Sequence, residues 1–223
     1  MNILQPTSLL MLSLMLSLST LSVANNQTAQ KMPAPLIEQY QLAAGGDTTL
    51  VEPVYKQFEL LLEQHANEPL VWVYFGSTRT LKGRDAWLPW RKLSHAEQGL
   101  DDIQRGMDKL ADQPLQLAQQ QRVQGLPEYH LATALAATTF TSVPNFFNRF
   151  ERGYDLFLQL LEDEEFLKQN FAASAWVYER AIMAALRNED VSQAKLWLAI
   201  MQERQADHPT TQSAIVLVQK SEA

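Results

Sequence analysis

Apolar residues recur at three- and four-residue steps along most of this chain, and a proline opens nearly every such run. That combination leaves room for little besides helices. Leu50, Val54, Phe58, Leu61 and Leu62 share one helical face, with Thr48 as the expected cap and Pro69 in the first turn of the helix that follows. The same reading predicts helices over 69–82 and 89–111, and a Gln-rich helix from Pro114 that Gly125-Leu126-Pro127 interrupts. Further helices are predicted over 127–141, from Pro144 with Phe147, Phe150, Tyr154, Phe157 and Leu161 as a stripe, over 171–187 and over 191–206. A last short one starts at Pro209. No segment alternates apolar and polar residues between hairpin turns, so strands are not expected. Residues 171–187 are apolar on two faces, with Phe171, Tyr178, Ile182 and Ala185 on one and Ala172, Trp176, Met183 and Leu186 on the other. A helix buried on two sides sits between neighbours, which favours stacked antiparallel hairpins over a four-helix bundle.

Before the helices come two segments of different character. Residues 1–24 carry no charge and end in Ser22-Val23-Ala24, small residues where a signal peptidase cuts. Their apolar run, residues 9–23, is short of the roughly 20 residues a bilayer span needs and holds four serines and a threonine. The expectation is a signal peptide at 1–24, a flexible leader at 25–47 with a short turn of helix at 36–42, and a helical-repeat domain at 48–223; an uncleaved anchor helix is the alternative. The chain has no cysteine, so packing alone must hold it, and lipid acylation, thiol catalysis and thiolate metal sites are excluded. A periplasmic location follows, with secretion as the alternative. The net charge of −7 gives no general attraction to nucleic acid or to anionic lipid, and no stable membrane insertion is expected once the signal is cut.

Trp72, Phe75 and Gly76 form W-x-x-F-G, which resembles the opening W-x-x-L-G of the tetratricopeptide repeat. A looser second unit runs over 181–206, with Ala194 and Leu198 at the second-helix spacing and Pro209 after it. No strict 34-residue period recurs, so residues 48–209 resemble a degenerate tetratricopeptide-like array, similar to exported proteobacterial proteins of that kind. The resemblance implies a scaffold whose groove receives a peptide or protein partner.

The most unusual stretch is RTLKGRDAWLPWRK, residues 79–92. It holds Arg79, Lys82, Arg84, Arg91 and Lys92 against the single Asp85, a local charge of +4, with Trp87 and Trp90 inside it. Guanidinium groups beside indoles can hold a carboxylate while stacking an apolar group, which makes Arg79, Arg84, Trp87, Trp90 and Arg91 candidate partner-binding residues. The competing reading packs both tryptophans into the core and pairs Arg84 with Asp85. PNFFNRFER, residues 144–152, is a second candidate that reads mainly as core, and the acidic run at 162–165 reads as a solvated turn, with a cation site as the alternative. His65, His95, His130 and His208 have no metal-ligand spacing, and no nucleophile elbow, phosphate loop or dinucleotide fingerprint occurs. No cofactor or catalytic residue is expected. Three functions stay open: an envelope binding or adaptor protein first, an all-α hydrolase or lyase acting on cell-wall or small substrates second, and a purely structural subunit third.

Overall fold

The computed structural model describes residues 32–112 and 116–221. The expected signal peptide lies outside them. The fold is all-α, and among the described residues the only strands are two of two residues each. Ten α-helices follow one another among the described residues: α1 Ala34–Ala44, α2 Thr48–Gln64, α3 Pro69–Asp85, α4 Pro89–Ala111, α5 Glu128–Ser142, α6 Phe150–Glu162, α7 Glu164–Leu167, α8 Phe171–Arg187, α9 Val191–Gln205 and α10 Pro209–Ser221.

Antiparallel hairpins stack in chain order. The pairs α1/α2, α3/α4, α5/α6 and α8/α9 each pack within themselves, and the second helix of each pair also packs on the first helix of the next. First helices touch in series as well: α1 with α3, α3 with α5, α5 with α8, α8 with α10. This double set of contacts is why α3 is buried from Pro69 to Thr78, apart from the half-exposed Trp72, and α5 is buried from His130 to Ala137. The first helices and α10 begin at 34, 69, 128, 171 and 209, so successive steps are 35, 59, 43 and 38 residues. Such unequal steps hide the repetition from any fixed-period reading of the sequence.

Glycine sets the closeness of the α3/α4 pair. Gly76 and Gly83 lie seven residues apart on α3, and Gly99 and Gly106 seven apart on α4, so each pair returns to nearly the same face every two turns. A Cβ on Gly76 would stand 2.5 Å from the Gly99 carbonyl oxygen and 2.7 Å from the Ile103 nitrogen. A Cβ on Gly106 would meet the Trp72 Cβ at 3.0 Å. The W-x-x-F-G segment thus lies at a helix–helix contact.

Four local expectations need correction. Residues 34–44 of the expected leader form α1, because Leu36, Ile37, Tyr40 and Ala43 share a face that buries against α2 and α3. Asp47, not Thr48, caps α2; its carboxylate accepts from the Thr49 amide at 3.0 Å. The Gln-rich stretch is no helix: it holds one 3-10 turn, Leu117–Gln119, and a tight ribbon pairing β1 Arg122–Val123 with β2 Leu126–Pro127. Gln124 and Gly125 both take positive φ, 53° and 81°, the backbone of a two-residue hairpin turn. Val123 and Leu126 bury on one side of it, so two apolar residues and a turn prevail over glutamine's helix propensity. Likewise α6 begins at Phe150 rather than near Pro144, after a 3-10 turn at Asn145–Phe147 and Asn148 in the left-handed region.

Arginines tie successive units together at helix ends. Arg84 donates to the carbonyls of Ala43 and Ala44 at the end of α1, Arg187 to those of Thr141 and Val143 at the end of α5, and Arg204 to that of Gln169 beyond α7. Each adds a charged donor to carbonyls at or just beyond a helix C-terminus.

Candidate functional site

The segment of residues 79–92 spans the end of α3, its turn and the start of α4. Ala86 leaves α3 in an extended conformation, φ −63° and ψ 139°, and Pro89 occupies the first turn of α4. Between them Trp87 stands at the projecting end of the hairpin.

The structure divides the five expected residues into two groups. Trp87 is 90% exposed and Trp90 65%, and Arg91 is exposed with them. Neither tryptophan packs into the core. Leu93, 42% exposed, continues the same three-residue spacing, a signal present in the sequence that the arginine and tryptophan pattern overshadowed. The half-buried Arg79 and the exposed Arg84, by contrast, are each engaged by other groups of the protein. Arg79 pairs with the buried Asp102, donates to the Tyr55 hydroxyl at 3.0 Å and lies over the Phe75 ring at 4.7 Å. Arg84 forms a two-pronged pair with Asp85 while it caps α1. These two place the tip rather than face a partner. The C-terminal end of α1, which carries the exposed Leu42, is held beside the tip by that cap.

The surroundings are cationic. His95 is held below its ordinary pKa first by burial, then by the charges of Lys82, Arg79 and Arg91, with Glu52 opposing. Lys82 lies 3.8 Å over the Tyr55 ring and 3.0 Å from Glu52. Lys92 reaches back toward the Arg84 carbonyl at 3.5 Å, as a cation at a helix C-terminus does.

One arrangement elsewhere has the parts of a catalytic pair. His130 Nε2 lies 3.1 Å from Asp163 Oδ2, although the two are 33 residues apart in sequence. Its orientation argues against chemistry. His130 is 0% exposed, and its other ring nitrogen is buried without a partner beside the Phe166 ring. Burial lowers its pKa, the bond to Asp163 resisting, so the ring sits neutral with its free nitrogen turned away from any substrate. The pair pins α5 to the junction of α6 and α7, where Asp163 also accepts from the Glu165 amide and caps α7. The acidic run at 162–165 is therefore more than a solvated turn. Burial also pushes the Tyr40 hydroxyl up to about 12, with Ser77 partly offsetting, so that group stays protonated at neutral pH. Among the described residues no group of three histidines or carboxylates is placed to hold a metal ion.

The second sequence candidate splits in the same way. Phe147 and Phe150 are half-buried, Arg149 pairs with Asp101 at 3.0 Å, and Phe146 is exposed. A polar cleft of about 320 Å³ opens there between Asn145, Asn148, Glu151 and Asn188. Its arginine, Arg187, is already spent on carbonyls and on the Phe150 ring at 4.9 Å. Among the described residues no helix is long and apolar enough to cross a membrane.

Compared with protein-family models, with curated proteins and with solved structures, the chain matches none of them.

Proposed function

We propose that this chain is an exported, degenerate tetratricopeptide-like protein that serves as a binding or adaptor module in the cell envelope. It holds a peptide or protein partner rather than transforming a substrate, and the tip of the α3/α4 hairpin is one of its contact surfaces. The observation that carries this reading is the exposure of Trp87 and Trp90, 90% and 65%, in a protein that buries Phe58, Tyr74, Phe140, Phe157 and Tyr178 completely. Tryptophan and arginine supply most hot spots of protein interfaces, because one rigid side chain removes a large apolar area from water. Trp87, Trp90 and Arg91 fit that role, and Arg79 and Arg84 hold the tip in place. The stacked hairpins supply a stiff support behind it. The hydrolase or lyase reading is less favoured, since the His130 ring, paired with the partly exposed Asp163, is itself fully buried with its second nitrogen turned inward.

A photo-cross-linking residue placed at position 87 or 90 in living cells tests the proposal. Products specific to those positions, and missing from the exposed control position Val216 on α10, are expected. Identical products at all three positions, or none at 87 and 90, would refute it.

A further inference from the structure

We infer that the α3/α4 tip docks on the interfacial layer of an anionic lipid bilayer, holding the scaffold at a membrane surface without spanning it. The inference rests on the reading of the tip as a recognition surface and names what it touches. Three features carry it. The first is shape: Trp87 stands at the end of a helical hairpin with nine-tenths of its surface open. A convex end of this kind needs no complementary pocket, and a bilayer offers none.

The second is composition. Trp87, Trp90 and Leu93 follow at three-residue steps across the turn and the first turn of α4, and Leu42 is exposed at the adjoining end of α1. Indoles favour the headgroup level, where the ring is sheltered and its N–H stays wet. Leucines beside them reach the acyl boundary, and flanking Arg91 and Lys92 face phosphates. This is the side-chain set of an interfacial anchor, in the order an anchor needs.

The third is charge. The chain carries −7 overall, so most of its surface is repelled by anionic lipid. At the tip the balance reverses: residues 79–92 carry five cations against Asp85. Arg79, Lys82 and Arg84 are matched by Asp102, Glu52 and Asp85, but the exposed Arg91 and Lys92 beside the indoles form no ion pair among the described residues. The attraction therefore acts only through this end, which fixes the orientation. A basic side chain at such a surface strengthens binding by roughly fivefold, and the effect fades within about 8 Å at physiological ionic strength.

The test is flotation of the full chain with vesicles of phosphatidylglycerol and phosphatidylethanolamine, and separately with pure phosphatidylcholine. The wild type, the Trp87→Ala/Trp90→Ala variant and the Arg91→Glu/Lys92→Glu variant are compared. Any contribution of residues 1–24 is common to all three, so the differences read the tip alone. The wild type is expected to float with the anionic vesicles, to bind less as salt rises, and to shift its tryptophan emission to the blue. Each variant should bind at least about tenfold more weakly, with unchanged thermal unfolding, since the altered side chains are exposed. Equal flotation of wild type and variants, equal binding to phosphatidylcholine, or no flotation at all would overturn the lipid target. Should the lipid target fail, protein cross-links at positions 87 and 90 would leave the recognition reading standing, and their absence would remove both.

Discussion

Gly76→Ala places a single methyl group where two helix backbones touch. The new Cβ would lie 2.5 Å from the Gly99 carbonyl oxygen, 2.7 Å from the Ile103 nitrogen and 2.8 Å from Ile103 Cγ1. Two of these neighbours are backbone atoms, which no rotamer change can move. Restoring an ordinary contact of 3.4 Å requires α3 and α4 to part locally by 3.4 − 2.5, about 0.9 Å. A gap of 0.5–1 Å forfeits roughly a quarter to a half of the attraction of each affected atom pair. The opening would spread along the facing glycines Gly83, Gly99 and Gly106. Overpacking of this kind costs about 1–3 kcal/mol. Opposing it, alanine is a better helix former than glycine by about 1 kcal/mol. We expect packing to prevail, with a net loss of up to about 2 kcal/mol and a fall in Tm of up to about 8 °C for a domain of this size. Thermal and urea unfolding followed by far-UV circular dichroism measure it. Gly99→Ala should behave alike, and the double variant should lose less than the sum of the two, because helices already parted accept the second methyl more easily. A Tm that stays level or rises would show that propensity governs this site, and strict additivity would show that the two glycines do not share one contact.

Other consequences concern single side chains. Burial lowers the pKa of His130 from 6.5, so the unfolded chain binds the proton more readily; stability should be full above pH 6.5 and decline as the pH falls below it. Unfolding measured across that range in His130→Leu should show a shallower decline, the remaining slope including that of His95, whose pKa is also lowered; an unchanged slope would contradict the assignment. Arg187→Ala leaves the Thr141 and Val143 carbonyls without their charged donor and should cost about 1–2 kcal/mol, with faster amide exchange at the end of α5. Asp102→Ala strands Arg79 in a half-buried site and should cost about 3 kcal/mol, read by urea denaturation. Trp87→Ala and Trp90→Ala should each change stability by less than about 0.5 kcal/mol; a loss near 3 kcal/mol would restore the core reading that their exposure argues against.

Much of the helical architecture was legible in residue spacing, because burial of one face imposes its period on the sequence wherever a helix is long. The stripe of α2 and the Phe171, Tyr178, Ile182 and Ala185 face of α8 show this. The second face expected for α8 is not buried: Ala172 and Met183 are exposed, and Ser174, Ala175 and Val177 are buried instead. Pro69, Pro89 and Pro209 mark starts correctly since proline costs nothing where no N–H is needed. The short elements were hidden. The ribbon at Arg122–Pro127 depends on Gln124 accepting a positive φ for the sake of burying Val123 and Leu126, a choice made by the neighbouring helix face. In α1 the sequence shows only a short turn at 36–42; the full helix Ala34–Ala44 forms because α2 and α3 supply the surface that buries Leu36, Ile37 and Tyr40.

The candidate site shows the same division. Sequence alone picked out Arg79, Arg84, Trp87, Trp90 and Arg91 as an unusual concentration of cations and indoles, and could not say which faced water. Asp102, 23 residues from Arg79, claims one arginine, and the end of α1, about 40 residues from Arg84, claims the other. Both claims depend on partners brought close only by stacking. Composition and periodicity are local properties and determine which helices form. Exposure and pairing are properties of the packed whole, and here they left two tryptophans and Arg91 at the surface while drawing Arg79 and Arg84 into the frame that holds them.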